Sequence, residues 1–108
     1  MSIPQQAATF MARALAAFVT EEMPKGLDAE IVLCPGRTAD GAPTGRTAVQ
    51  FVGVWPGLDE VDGSFNIGHP EGYEQTEAED RARRAWRMLV DAGASADRVR
   101  ITTRECRR

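Results

Sequence analysis

Cys34 and His69 are the one combination in the sequence that could supply a nucleophile with a base. A thiol–imidazole site needs the two groups within hydrogen-bond reach and a third group to orient the imidazole. The chain has a single histidine, so Cys34 has no choice of partner. Cys34 also follows Ile31-Val32-Leu33, where a strand-end thiol is the simpler expectation. Metal chemistry finds no better footing. In Asp59-Glu60-Val61-Asp62-Gly63, setting Gly63 at the invariant turn of a calcium loop would put Leu58 and His69 at the first and last ligand positions. No second His or Cys stands at zinc-ligand spacing. Gly36 to Gly41 carries the glycine spacing of a phosphate loop. Ala42-Pro43 stands where Lys and Ser/Thr are required, and a strand follows rather than a helix. The sequence therefore assigns no catalytic residue, no metal ligand and no cofactor.

The charges are distributed more tellingly. The net charge is −3, and the sequence pI is about 5.1. Residues 56–80 hold 8 acidic side chains and no Lys or Arg, whereas residues 81–108 hold 9 arginines and no lysine. Such polarity either cancels inside the fold or builds faces of opposite sign that steer partners. Candidate partner-binding residues are the acidic Asp59, Glu60, Asp62, Glu71 and Glu74. Arg37 and Arg46 flank a Gly/Pro-rich loop, and Arg83, Arg84, Arg87, Arg98 and Arg100 form the C-terminal cluster. These residues predict a small non-enzymatic module that binds another protein through charged surfaces. A dense carboxylate surface can imitate a phosphate backbone or dock on a basic protein patch, as would suit a phage-encoded inhibitor or a virion component. The alternative is a nucleic-acid-binding domain. Guanidinium groups suit phosphate contacts, although the acidic pI and the absence of interleaved aromatics speak against it. A homodimer through Trp55 or an open sheet face is a further expectation.

The elements that must position these groups follow from period and punctuation. Ser2-Ile3-Pro4-Gln5 reads as a helix start, and Met11, Ala14, Leu15, Phe18 and Val19 share one face of a helix over about 4–22. Ala29–Cys34 and Thr47–Trp55 read as strands, the latter apolar on both sides and so central. Residues 35–46 read as an irregular, mobile loop, Asp62-Gly63 as a turn, and Ser64–Ile67 as a short third strand. Thr76-x-x-Glu79 reads as a capping box opening a second helix, with Ala78, Ala82, Ala85, Trp86 and Leu89 inward and Gly93 at its end. Glu79–Arg83, Asp80–Arg84 and Arg87–Asp91 fall at i,i+4. Arg98–Arg104 alternates as a half-buried strand with a basic outer face, and Arg107-Arg108 reads as frayed. The expected fold is one α+β domain of order α-β-β-(β)-α-β. It is a two-layer sandwich with both helices on one face of a small mixed or antiparallel sheet of three or four strands.

No apolar stretch approaches the ~20 residues needed to cross a bilayer, so no membrane partner is expected. The first residues lack the basic region of a signal peptide, which predicts a cytoplasmic chain. Cys34 and Cys106 allow at most one internal disulfide, and a reducing compartment argues against it.

Phe65-Asn66-Ile67-Gly68-His69, Arg81-Ala82, Leu89-x-x-x-Gly93 and Arg98-Val99 resemble the strand–helix–strand unit of OmpA-like peptidoglycan-binding domains, over about a third of the chain. The resemblance implies that Arg81 holds the diaminopimelate of a peptidoglycan peptide. Pro70-Glu71 stands where that family has Thr-Asp, and the loop is shorter, so the implied contact rests on Arg81 alone.

Overall fold

The computed structural model describes residues 3–58 and 60–107, with side chains from residue 10 onward. Helix α1 (Ile3–Ala17) runs into a π turn (Phe18–Glu22) and a 3-10 turn (Met23–Lys25). Strands β1 (Asp28–Arg37), β2 (Pro43–Trp55) and β3 (Glu60–Asn66) follow as a meander, then helix α2 (Gln75–Asp91) and strand β4 (Val99–Thr103). The sheet order is β3-β2-β1-β4, with β1 antiparallel to β2, β2 antiparallel to β3, and β4 parallel to β1. The mixed four-stranded α+β fold and its element order are those the sequence predicts.

Both helices lie on one face of the sheet. The alternation of β1 and β2 sends Ala29, Ile31, Leu33, Val49 and Phe51 to that face, where they meet Leu15 and Phe18 of the first helical segment and Ala78, Ala82, Ala85 and Leu89 of α2. Small alanines at the α2 contact let the helix approach closely, and Leu89, 0% exposed, fills the space between them. Trp86 sits half-buried at the edge of the same cluster. Leu89→Ala is therefore expected to cost about 3 kcal/mol, the usual range for a cavity in a packed core. Urea titration measures it; a cost under about 1 kcal/mol would mean α2 does not cover the sheet.

Several local readings need correction. The 35–46 stretch is not an irregular loop: β1 and β2 extend through it, Arg37 pairs with Pro43, and a register shift between Pro35 and Arg37 absorbs the Pro and Gly residues. Only 38–42 turns. The Thr38 N–H donates to Ala42 O (2.8 Å) and the Gly41 N–H to Thr38 O (2.9 Å). Asp62-Gly63 lies within β3, where a shift between Gly53 and Val54 accommodates an extra residue. The turn is earlier, at Pro56–Leu58. The capping box does not form: Glu74 is the N-cap of α2 without a side-chain hydrogen bond, and Thr76 is already helical. The Ser2 cap lies outside the described residues.

Candidate functional site

A groove opens between the C-terminal part of the first helical segment and edge strand β3. Its volume is about 290 Å³, and its walls include Ala14, Ala17 and Phe18 on one side and Phe65 on the other. The reason for the hollow is local. Gly53 of β2 and Gly63 of β3 are cross-strand partners; Phe18 packs down onto Gly53, and Gly63 leaves the adjoining sheet surface bare. At Gly53 a Cβ would strike the Phe18 ring (2.7 Å), but at Gly63 it would meet nothing within 4 Å. The floor beside Gly63 is thus open and flanked by aromatic rings. Phe51 packs edge-on to Phe18 at 4.9 Å and against Phe65 at 5.1 Å.

The rim is acidic. Glu21 and Glu22 come from the π turn and Asp62 from β3. Lys25 Nζ lies 3.4 Å from Glu22, while Glu21, Glu60 and Asp62 make no ion pair among the described residues. β3 is also a sheet edge, with its outer backbone groups unpaired by any described strand. An edge strand next to an apolar slot can take an added strand, the backbone giving affinity and the slot a side chain. Sequence reasoning placed Glu60 and Asp62 in a solvated turn and missed the groove. Gly53 and Gly63 were visible, but only the strand register makes them neighbours.

The other candidate residues scatter. Asp59 lies outside the described residues. Glu71 and Glu74 are exposed in the β3–α2 connection, away from the residues that line the groove. Arg37 donates from Nη1 to Gly41 O (3.2 Å) and Arg46 from Nη2 to Gly72 O (2.6 Å), so each holds a loop. Arg83, Arg84 and Arg87 are exposed along α2, where Arg84 pairs with Asp80 at 2.9 Å. The other two expected pairs, Glu79–Arg83 and Arg87–Asp91, do not form among the described residues. Glu79 instead accepts from Gln75 (3.1 Å). Arg98 turns inward: its Nε donates to Asp28 (3.0 Å) and its Nη2 to the carbonyls of Met23 and Leu27 (2.8 and 2.6 Å), tying the β1 entry to the start of β4. Arg100 stands beside its strand partner Glu30, with Nη2 3.5 Å from the carboxylate. The five C-terminal arginines therefore do not form one patch: Arg83, Arg84 and Arg87 point outward from α2, and Arg100, also exposed, stands apart beside Glu30.

The second sheet face carries Val32, Cys34, Val52 and Val54, all buried, and a carboxylate, Glu30, only 1% exposed. The chain after β4 folds across it. Cys34 and Cys106 are joined in a disulfide, which overturns the expectation of two free thiols and removes Cys34 as a nucleophile. Parallel pairing of β4 with β1 brings Thr103 beside Leu33, so a residue three further on can return over Cys34. Arg107 is seated rather than frayed. Its side chain is 8% exposed, its Nε lies 2.5 Å from Glu30, and its backbone exchanges hydrogen bonds with the Gln50 amide (2.6 and 2.8 Å). Arg108 lies outside the described residues.

His69 has no thiol to activate. It stacks loosely on Tyr73 (5.6 Å), and its backbone N–H donates to the Tyr73 hydroxyl (2.8 Å). Arg81, the residue the peptidoglycan resemblance points to, lies over the Tyr73 ring at 4.1 Å with Nη2 3.5 Å from Glu77. The strands flanking α2 run in the same direction but occupy opposite edges of the sheet. Among the described residues no group of three His, Cys, Asp or Glu could hold a metal ion, and no helix is long and apolar enough to cross a membrane. Comparison with protein-family models, curated proteins and solved structures finds no match.

Proposed function

We propose that the chain is a small protein-interaction module that takes an extended basic segment of another protein at the β3 edge. The partner inserts one aliphatic side chain over Gly63 and sets Lys or Arg side chains against Glu21, Glu60 and Asp62. The observation that carries the reading is the open surface over Gly63, beside Phe18 and beneath an acidic rim. Charge selects the occupant. A second copy pairing through β3 would bring Glu60 and Asp62 of both strands to one interface, where like charges are destabilising. Basic residues at alternate positions would instead be attracted, and steered at a distance.

A short extended peptide of pattern Lys-Thr-Val-Thr-Lys, which sets its Val and both Lys on one strand face, is the probe, its affinity measured by calorimetry at increasing salt. Binding is expected to weaken with salt, because its charges sit in water. Gly63→Val fills the slot without steric conflict and is expected to lower affinity about 30- to 100-fold, the equivalent of losing one buried aliphatic side chain. Its fold stability stays level or rises slightly, since Gly in a strand is entropically costly. Binding unchanged in Gly63→Val would overturn the groove as the site. The nucleic-acid reading draws on Arg83, Arg84 and Arg87. Duplex DNA or RNA bound at low salt, and lost in an Arg83→Ala/Arg87→Ala double variant, would favour it instead.

A further inference from the structure

We infer that residues 105–107 are a redox-released strap: opening the Cys34–Cys106 disulfide lifts them from the second sheet face while the helices and the sheet, to which Arg104 is still bonded through Leu33 O (3.1 Å), stay in place. Three observations point there. First, the core beneath the helices contains no residue beyond Val99, so the strap contributes nothing to it. Second, the strap is tied to the opposite face, at Cys34 of the separate cluster Val32, Cys34, Val52 and Val54 and, through Arg107, at Glu30 and Gln50. Third, the two cysteines differ in exposure. Cys34 is buried at 5% exposure, whereas Cys106 is exposed and lines a surface cleft with Pro35, Arg37 and Glu105.

That asymmetry sets the direction of exchange. The thiolate of a small dithiol reductant attacks the sulfur of Cys106, forming a mixed disulfide, and Cys34 leaves as a thiolate that takes up a proton. The reductant's second thiol attacks its own sulfur in the mixed disulfide and releases Cys106 as a thiol. Two electrons pass from the reductant, which ends as a disulfide, to the chain, which ends with two thiols. Once untethered, the strap keeps non-covalent contacts, among them the Arg107–Glu30 ion pair and the Gln50 hydrogen bonds, and Arg100 remains beside Glu30 to pair its carboxylate when Arg107 leaves. Cys34, Glu30 and Gln50 then become accessible in the reduced chain and are covered in the oxidised one.

The test is backbone NMR of the full chain at 25 °C, oxidised, reduced with dithiothreitol, and as Cys106→Ser. Reduction is expected to move the Glu105, Cys106 and Arg107 amide signals to random-coil positions while those of β2 and α2 stay dispersed. Cys106→Ser gives the same pattern without reductant, and re-oxidation of the native chain reverses it. Tail signals that stay dispersed after reduction would show that non-covalent contacts hold the strap without the disulfide. Collapse of the β2 and α2 signals would show a staple for the whole domain. Either result overturns the inference.

Discussion

Reducing the Cys34–Cys106 bridge is expected to lower the melting temperature by roughly 15–30 °C. The two cysteines are 72 residues apart, so the bond closes most of the chain into one loop in the unfolded state. Chain-entropy arithmetic for a loop of that length gives about 4 kcal/mol of stabilisation. A domain of this size has about 5–15 kcal/mol in all, so the reduced chain remains folded at 25 °C and melts far earlier. The effect comes from the denatured ensemble, whereas strap release is a change in the native state, so the two are measured separately. Scanning calorimetry with and without reductant gives the shift. A change below about 5 °C would mean that the reduced unfolded chain is already compact.

Gly72→Ala is expected to cost about 3 kcal/mol or more. Gly72 has φ +89°, and a Cβ there would lie 2.4 Å from the Thr47 carbonyl carbon, 2.5 Å from its oxygen and 2.6 Å from Ala48 N. All three are backbone atoms of a central strand, so no side chain can swing aside. The neighbouring backbone is fixed as well: Thr47 N–H donates to Tyr73 O (2.7 Å) and Tyr73 N–H to Thr47 O (2.8 Å). The Thr47 hydroxyl adds a bond to Gln75 (2.7 Å) at the start of α2. The substitution must therefore push the β3–α2 connection off β2 and disturb the helix seat with it. Gly63→Val, in the same sheet, meets open space and costs nothing comparable. Denaturant titration of both variants supplies the contrast; equal stabilities would mean that the 67–74 segment does not dock on β2.

How much of this could be read from the chain follows from the range of the interactions. The helices were legible because their packing signal is local: Ala78, Ala82, Ala85 and Leu89 recur on one face whatever lies beneath. The central strand was legible because both of its faces are apolar. The Pro/Gly content of 35–46 misled, since an edge-tolerant hairpin with a register shift accommodates residues that a central strand would refuse. Arginine identity carried no information about orientation. Arg83 and Arg98 look alike in sequence, yet one faces water and the other holds the carbonyls of Met23 and Leu27. One signal was available and unused. Glu30 falls in step with Val32 and Cys34 on an apolar strand face, and a carboxylate there requires a cation, which Arg107 and Arg100 supply. The groove and the disulfide depend on strand register and on β4 lying beside β1, which no local pattern encodes.

Chemical-shift mapping with the Lys–Val peptide at low salt tests the proposed function most directly. The account predicts shifts at Phe18–Glu22 and at Gly63, Ser64 and Phe65, with the Arg83–Arg87 amides unmoved. Shifts confined to α2, or no shift at saturating peptide, would contradict it.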